Sequence, residues 1–235
     1  MNIFFTGCTH YGHKNIVRGV SNWDSGYRDF DSIKDMNNVL VNSINSVVGP
    51  NDVLYSLGDW SFGGQNNIVE FRERINCNHI HLVAGNHDEH IRYDNGHEFK
   101  KLFASYNELT EILVNKQKIT LCHYPLEVWD KSHRGAWMLH SHCHGSLPDD
   151  SNKKRIDVGF DCQYLDYDHK IVMTTNYDIS YIKDKIPNKY LPSDNLCVKV
   201  LHKRFTPFSF DEILNIMSYK KAKAVDNHKE TNSKG

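Results

Sequence analysis

The sequence predicts an α/β fold, and three observations carry that expectation. An amphipathic stretch from Asp31 to Val48 leads through the turn residues Gly49-Pro50-Asn51-Asp52 directly into an apolar run from Val53 to Leu57. Helix, short loop and buried strand in succession is the rhythm of alternating α and β elements. Several apolar runs also end in polar residues: Phe4-Phe5-Thr6 runs into Gly7-Cys8-Thr9-His10, Val53 to Leu57 into Gly58-Asp59, His81 to Ala84 into Gly85-Asn86-His87-Asp88, and Ile119 to Leu121 into Cys122-His123. In open α/β sheets, ligands sit outside the carboxyl ends of strands, where such residues would project. Finally, 235 residues at 39% hydrophobic content suffice for one sizeable core.

Taken in order, residues 2–6 read as a first buried strand, with Gly7 allowing a tight exit. His10 and His13 follow among glycines, which argues for a loop, and in isolation they could be surface residues. From Asp31 to Val48, Ile33, Met36, Leu40, Ile44 and Val47 recur at spacings of three and four, one apolar stripe of a packing helix. After the next strand, Asp59 stands alone as an acid that could equally cap the following helix. Ile68, Val69, Phe71 and Ile75 predict a second helix before the strand that ends at Gly85. Residues 90–104 read as a polar helical connection, and 109–114 with 118–121 as two strands around a short turn. Trp137-Met138-Leu139 continues into His140-Ser141-His142-Cys143-His144-Gly145. In an extended reading His142 and His144 share one side, where both could grip metal, while Cys143 faces the packing side. Residues 155–162 could form a further strand. The tyrosine-rich stretch 163–203 reads as an insertion, since a structureless loop of that length is uncommon in a compact domain. Ser209 stands three residues before Glu212, a capping box that opens a last helix to about Tyr219. The expected organisation is one domain over 1–219 with a polar, disordered tail over 220–235.

Composition narrows the function. A formal net charge of −1 gives no general nucleic-acid footprint. The six cysteines form no Cys-x-x-Cys pair, which removes zinc ribbons and thioredoxin motifs and fits free thiols in a reducing, cytoplasmic setting. No basic leader with an apolar core opens the chain, and no apolar run has the length of a membrane span. The 15 histidines are the unusual count, because imidazole is the commonest metal ligand.

His10, Asp59, Asn86, His123, His142 and His144 together offer more nitrogen and oxygen donors than one four-coordinate ion needs. Two ions about 3.5–4 Å apart fit that number better and suit in-line displacement at phosphorus. The segments Cys8-Thr9-His10, Gly58-Asp59, Gly85-Asn86-His87-Asp88, His123 and Ser141-His142-Cys143-His144 resemble, in order, the motifs of the calcineurin-like metallophosphoesterases. The details from Thr9 to Ile16 and from Cys122 to Leu126 are similar to its small bacterial and phage branch. The resemblance covers about residues 1–162 and resumes at 205–214.

It implies a four-layer α/β/β/α sandwich of two mixed sheets and hydrolysis of a phosphoester by a hydroxide held between two divalent metals. By similarity, His10, Asp59 and His144 hold the first ion, and Asp59, Asn86, His123 and His142 the second, with Asp59 bridging. His87 would act at the leaving-group oxygen and Asn86 would also touch a phosphate oxygen. Asp88 would support the ligands, while Arg134 and His13 would bind phosphate or substrate.

Two positions depart from the pattern. Ser141 replaces a glycine, a small addition. Cys8 replaces an aspartate of the first metal. A thiolate there favours zinc or iron over magnesium or manganese; alternatively it stays a buried thiol and weakens that site, with His13 compensating. The expected substrate is a small phosphoester or nucleotide, with long nucleic acid disfavoured, no membrane partner, and specificity from 163–203. The alternative is a catalytically weakened fold that binds a nucleotide, a nucleic-acid end or a protein.

Overall fold

The structure, a computed structural model, describes residues 1–20, 28, 30–161 and 206–224, and the backbone of 163–165 and 171–173. The first sheet carries strands β1 (Ile3–Thr6), β2 (Val53–Ser56), β3 (His79–Val83) and β4 (Ser105–Asn107), parallel and in that spatial order. Helices α1 (Ile33–Val47) and α2 (Gln65–Arg74) make the crossovers β1 to β2 and β2 to β3. The one-turn α3 (Glu89–Arg92) and a 3-10 turn, Phe99–Leu102, lead to β4. The second sheet has order β5 (Leu109–Val114), β6 (Gln117–Cys122), β7 (Trp137–His140) and β8 (Arg155–Asp157), the first pair antiparallel and the rest parallel. Asn115 and Lys116 turn the β5–β6 hairpin at φ 48° and 66°, as the right-handed strand twist requires of a tight hairpin. Residues β9 (Gln163–Leu165) and β10 (Ile171–Met173) pair antiparallel on their own. Strand β11 (Phe208–Ser209) returns antiparallel to β1, and helix α4 (Phe210–Ser218) follows it. With β11 on one sheet and β5 on the other, both sheets are mixed, as expected of the α/β sandwich.

Strand alternation divides the core in two. Phe4, Leu54, Ile80 and Leu82 face α1 and α2, with Met36, Leu40, Ile44, Ile68 and Phe71 opposite them. Phe5 and Val83 turn the other way, toward Ile119, Leu121, Trp137 and Leu139 of the second sheet and Ile213 and Met217 of α4. On the outer face of the second sheet, Met138 and Cys122 pack under Trp129 and Ala136 of the loop between β6 and β7. No helix of the described residues is long and apolar enough to cross a membrane.

Several expectations change. Val47 is 39% exposed, and Val41 joins Met36, Leu40 and Ile44 in the buried stripe, because the face that continues from Leu40 and Ile44 in steps of four reaches Val48, 1% exposed, and leaves Val47 beside it. Strand β4 was not expected; Ser105–Asn107 follows the short helical connection and extends the sheet beside β3. The 155–162 strand stops at Asp157, beyond which Gly159 and Asp161 turn back toward the first sheet, with Phe160 N–H donating to Gly7 O. Residues 220–224 are not a free tail: Lys220 is buried with its Nζ on Asp149, and Lys221 and Lys223 bond the backbone of Ser151 and Asn152. The remainder of the expected tail and most of the expected insertion lie outside the described residues.

The revised stripe gives a stability prediction. Leu40→Ala, at a fully buried site, should cost about 2–5 kcal/mol in urea unfolding, whereas Val47→Ala on the same helix should change stability by no more than about 0.5 kcal/mol. Equal losses at the two positions would place the buried face elsewhere.

Candidate metal centre

The residues that the sequence places at strand ends converge on one buried spot between the carboxyl ends of the two sheets. The loop after β1 brings Cys8 and His10, that after β2 Asp59, that after β3 Asn86 and His87, that after β6 His123, and that after β7 His142 and His144. Cys8, His10, Asp59 and His144 each place one ligand atom within 4.8 Å of the others, and Asp59, His123 and His142 do the same. Asp59 is common to both groups. Its Oδ2 lies 3.5 Å from His10 Nε2 and 3.5 Å from His123 Nε2.

The loops reach these positions through unusual backbone. Cys8, His10, Asp59, His142 and His144 all have φ between 45° and 70°, a left-handed region that costs a non-glycine residue of order 1–3 kcal/mol. His142 and His144 are therefore not alternate residues of an extended strand; each turns to a different group. Gly58 and Gly85 let the ends of β2 and β3 touch, since a Cβ on Gly58 would lie 2.4 Å from Gly85 N and 2.7 Å from His123 Nδ1. Asp88 ties the same ends together, accepting N–H bonds from Asp59, Trp60 and Gly85. Burial pushes its carboxyl up to about 7, against these three donors, which favour the ionised form. Asp59 does not cap α2, which begins only at Gln65 behind Gly64. Its Oδ1 instead accepts the His87 N–H at 2.9 Å.

The chemistry of the donor set fits a cation. The Leu57 carbonyl can only accept, so its 2.7 Å contact with His123 Nδ1 puts the proton on that nitrogen. His123 Nε2 is then a lone pair, yet it stands 3.0 Å from Asn86 Oδ1 and 3.1 Å from His142 Nδ1. Likewise the Asp161 carboxylate, 2.6 Å from His144 Nδ1, takes that proton's bond, leaving His144 Nε2 as a lone pair 3.2 Å from His10 Nε2. Burial, together with His144 and Arg28, lowers His10 well below the ordinary histidine range, and burial lowers His123 and His142, which favours neutral rings that each keep one lone-pair nitrogen. Neutral imidazoles, a shared carboxylate, an amide oxygen and a thiol gathered this closely in a buried space are the donor set that holds divalent ions. Burial, followed by Asp59 and Asp157, holds the Cys8 thiol well above its usual range, and its Sγ accepts the His142 N–H at 3.0 Å. A bound cation reverses that preference, because a coordinating thiol loses its proton.

The remaining expected residues divide. His87 is exposed at the mouth, its ring edge-on to His10 at 5.4 Å and to Phe62 at 5.2 Å. His13 lies at the same mouth, 3.9 Å from the Phe62 ring. Its Nδ1 is buried, and burial, then His87 and Arg28, brings the ring down to about 4. Arg134 is not brought in: it is exposed on the 3-10 turn Ser132–Arg134, and no described contact joins its side chain to the cluster. Ser141 is more than a tolerated addition, because it is fully buried and its hydroxyl bonds Leu57 O beside His123. Arg28, Asp161 and Phe62 went unnoticed in the sequence. They lie outside the matching motifs, and only the fold shows what they touch. A cavity of about 720 Å³ opens beside His87, lined by Phe62, Ile68, Asn86, His87, Glu89 and His90 among others.

The family match and one solved structure, AQ665, agree with this architecture. The calcineurin-like phosphoesterase family matches residues 1–182. No curated protein matches the chain in sequence. Among solved structures, AQ665 of Aquifex aeolicus, a protein of unknown function, has a similar fold with TM-score 0.50 and 19% identity, covering 68% of this chain and 90% of its own. YfcE, a phosphoesterase from E. coli, has TM-score 0.38 and 16% identity over 68% of this chain and 78% of its own. A family match running from the first strand past the last clustered histidine, on a fold that gathers those histidines around one aspartate, shows that the chain belongs to the calcineurin-like phosphoesterases, metal-dependent enzymes of phosphoester hydrolysis.

Proposed function

We propose that this metallophosphoesterase hydrolyses a small phosphoester, such as a nucleotide, at a binuclear centre. Cys8, His10, Asp59 and His144 would hold one ion, and Asp59, Asn86, His123 and His142 the other. The observation that carries the reading is the Asp59 carboxylate, whose Oδ2 is equidistant, at 3.5 Å, from one histidine of each group. Two divalent ions there would supply positive charge for the phosphoryl oxygens and acidify water at neutral pH.

The protein's own residues account for the rest. His87 stands at the rim, close to His10 yet exposed, where an imidazole can give a proton to, or share positive charge with, the oxygen that leaves phosphorus. Its backbone N–H on Asp59 Oδ1 fixes the loop, so the side chain and the bridging carboxylate keep one spacing. Asn86 turns its Oδ1 to the second group, which leaves its amide N–H groups to donate to a phosphate oxygen. His13, from the β1 loop, packs its ring on Phe62 beside His87, where it would lie against a bound substrate. The cavity beside His87, about 720 Å³, is of the size that receives a small organic moiety. This favours a nucleotide-sized ester over a long nucleic acid, in line with the net charge of −1.

Cys8 gives the centre its chemical bias. As a thiolate ligand it would favour zinc or iron over manganese or magnesium in the first site. The second reading, a phosphoester-binding module without turnover, is favoured by this residue alone.

Three experiments test the proposal. Elemental analysis of the protein purified without added metal should find near two ions per chain, with turnover of bis-p-nitrophenyl phosphate, and Asp59→Asn should lower both. No activity with manganese, zinc or iron on this or nucleotide esters would support the binding module instead. His87→Ala should keep both metals and lower kcat by about 10²–10⁴-fold, less for esters with good leaving groups; an equal loss across leaving groups would refute its role as proton donor. Cys8→Asp should move metal preference toward manganese in competition assays, and an unchanged profile would make the thiol a bystander.

A further inference from the structure

Behind the first group of ligands lies a buried ion pair that none of the motifs includes. Arg28 is 1% exposed and Asp161 fully buried. The guanidinium meets the carboxylate in a fork, Nε to Oδ1 at 3.0 Å and one terminal nitrogen to Oδ2 at 2.7 Å. Its other N–H groups bond two carbonyls of the β1 loop, those of Cys8 at 2.7 Å and Thr9 at 2.8 Å. Asp161 Oδ2 also accepts from His144 Nδ1 at 2.6 Å. One connected set of hydrogen bonds thus touches the backbone that carries Cys8 and His10 and the ring of His144.

We propose that Arg28 and Asp161 are positioning residues for the first metal site: Asp161 fixes the ring and tautomer of His144, and Arg28 clamps Asp161 to the loop of Cys8 and His10. The inference rests on the binuclear reading above. A carboxylate on the far nitrogen of a ligand histidine sets which nitrogen keeps its lone pair and raises the basicity of the ligand. His144 has particular need of such support, because its backbone sits at φ 45°, in a loop without regular structure to hold it.

A plain structural cross-link between residues 28 and 161 is the competing explanation, and the geometry speaks against it. Buried ion pairs contribute little net stability over apolar replacements, so stability gives a weak reason to place two charges here. The guanidinium also spends its remaining donors on two carbonyls inside the ligand loop, those of Cys8 and Thr9. The second group meets this set only indirectly, through Asp59 and the His142 N–H on Cys8 Sγ, and its His123 is oriented by the Leu57 carbonyl instead. The two sites therefore differ in what holds them, which makes the inference separable.

The test is a titration of the metal-stripped full chain with zinc alone, against a chromophoric chelator, in wild type, Asp161→Asn and Arg28→Lys. Asp161→Asn preserves shape and removes the charge. It should weaken one of the two zinc sites by about 10–100-fold and leave the other within about twofold. Arg28→Lys, which keeps the charge but not the fork, should weaken the same site to a smaller degree. Nitrogen-15 NMR of the wild-type imidazoles should show His144 with its proton on Nδ1 before zinc is added. A lower melting temperature with both zinc affinities unchanged, or both weakened alike, would make the pair a structural cross-link and overturn the inference. Wild-type protein that binds no zinc would overturn the metal-centre reading itself, a result distinct from an unaffected variant.

Discussion

Everything at this site depends on which nitrogen of two rings keeps its proton. His123 and His144 are each committed at Nδ1, to a carbonyl and to a carboxylate. Both rings therefore present Nε2 lone pairs inward, toward Asn86, His142, His10 and the Asp59 carboxylate. Neutral His10 and His142 can each turn an N–H to these lone pairs, so the cluster is satisfied by its own rings, and a cation would exchange those hydrogen bonds for coordination. Because the tautomers of His123 and His144 are set from outside the cluster, the inward lone pairs are in place before any ion arrives.

The backbone bears the corresponding strain. Left-handed φ values at Cys8, His10, Asp59, His142 and His144 would together cost several kcal/mol if nothing offset them. The offset lies in the surroundings: the three N–H bonds into Asp88, the close approach of Gly58 and Gly85, and the apolar layer of Phe5, Leu57, Val83, Leu121 and Leu139 beneath. The sheets are stiff and the loops are short. Side chains held by such loops have little freedom to shift, which is how rigid scaffolds make precise sites.

Much of this was legible in the sequence, for identifiable reasons. The parallel strands announce themselves as apolar runs, and each ends in a glycine or polar group because the chain must turn at the sheet edge. The proposed ligands lie in that turn chemistry, which is why the sequence brings them to notice before the fold is known. Illegible were features set by long-range packing. Ser141 finds Leu57 and His123 only when two sheets meet, β4 is a strand only because β3 offers an edge, and Lys220 looks like tail until Asp149 lies beside it. The shared side expected for His142 and His144 was wrong because it assumed an extended chain where both histidines are themselves left-handed. Arg28 and Asp161 are 133 positions apart, beyond any local pattern.

The return of the chain through β11 has a mechanical consequence. Strand β11 lies antiparallel on β1, the strand whose loop carries Cys8 and His10. Helix α4 follows at once and packs Ile213 and Met217 among residues of both sheets, with the Phe210 ring stacked on Trp137 of β7, the strand whose loop carries His142 and His144. The last described helix therefore acts as a rivet between the two sheets, and loosening it would change the spacing of the loops at the far ends of β1 and β7.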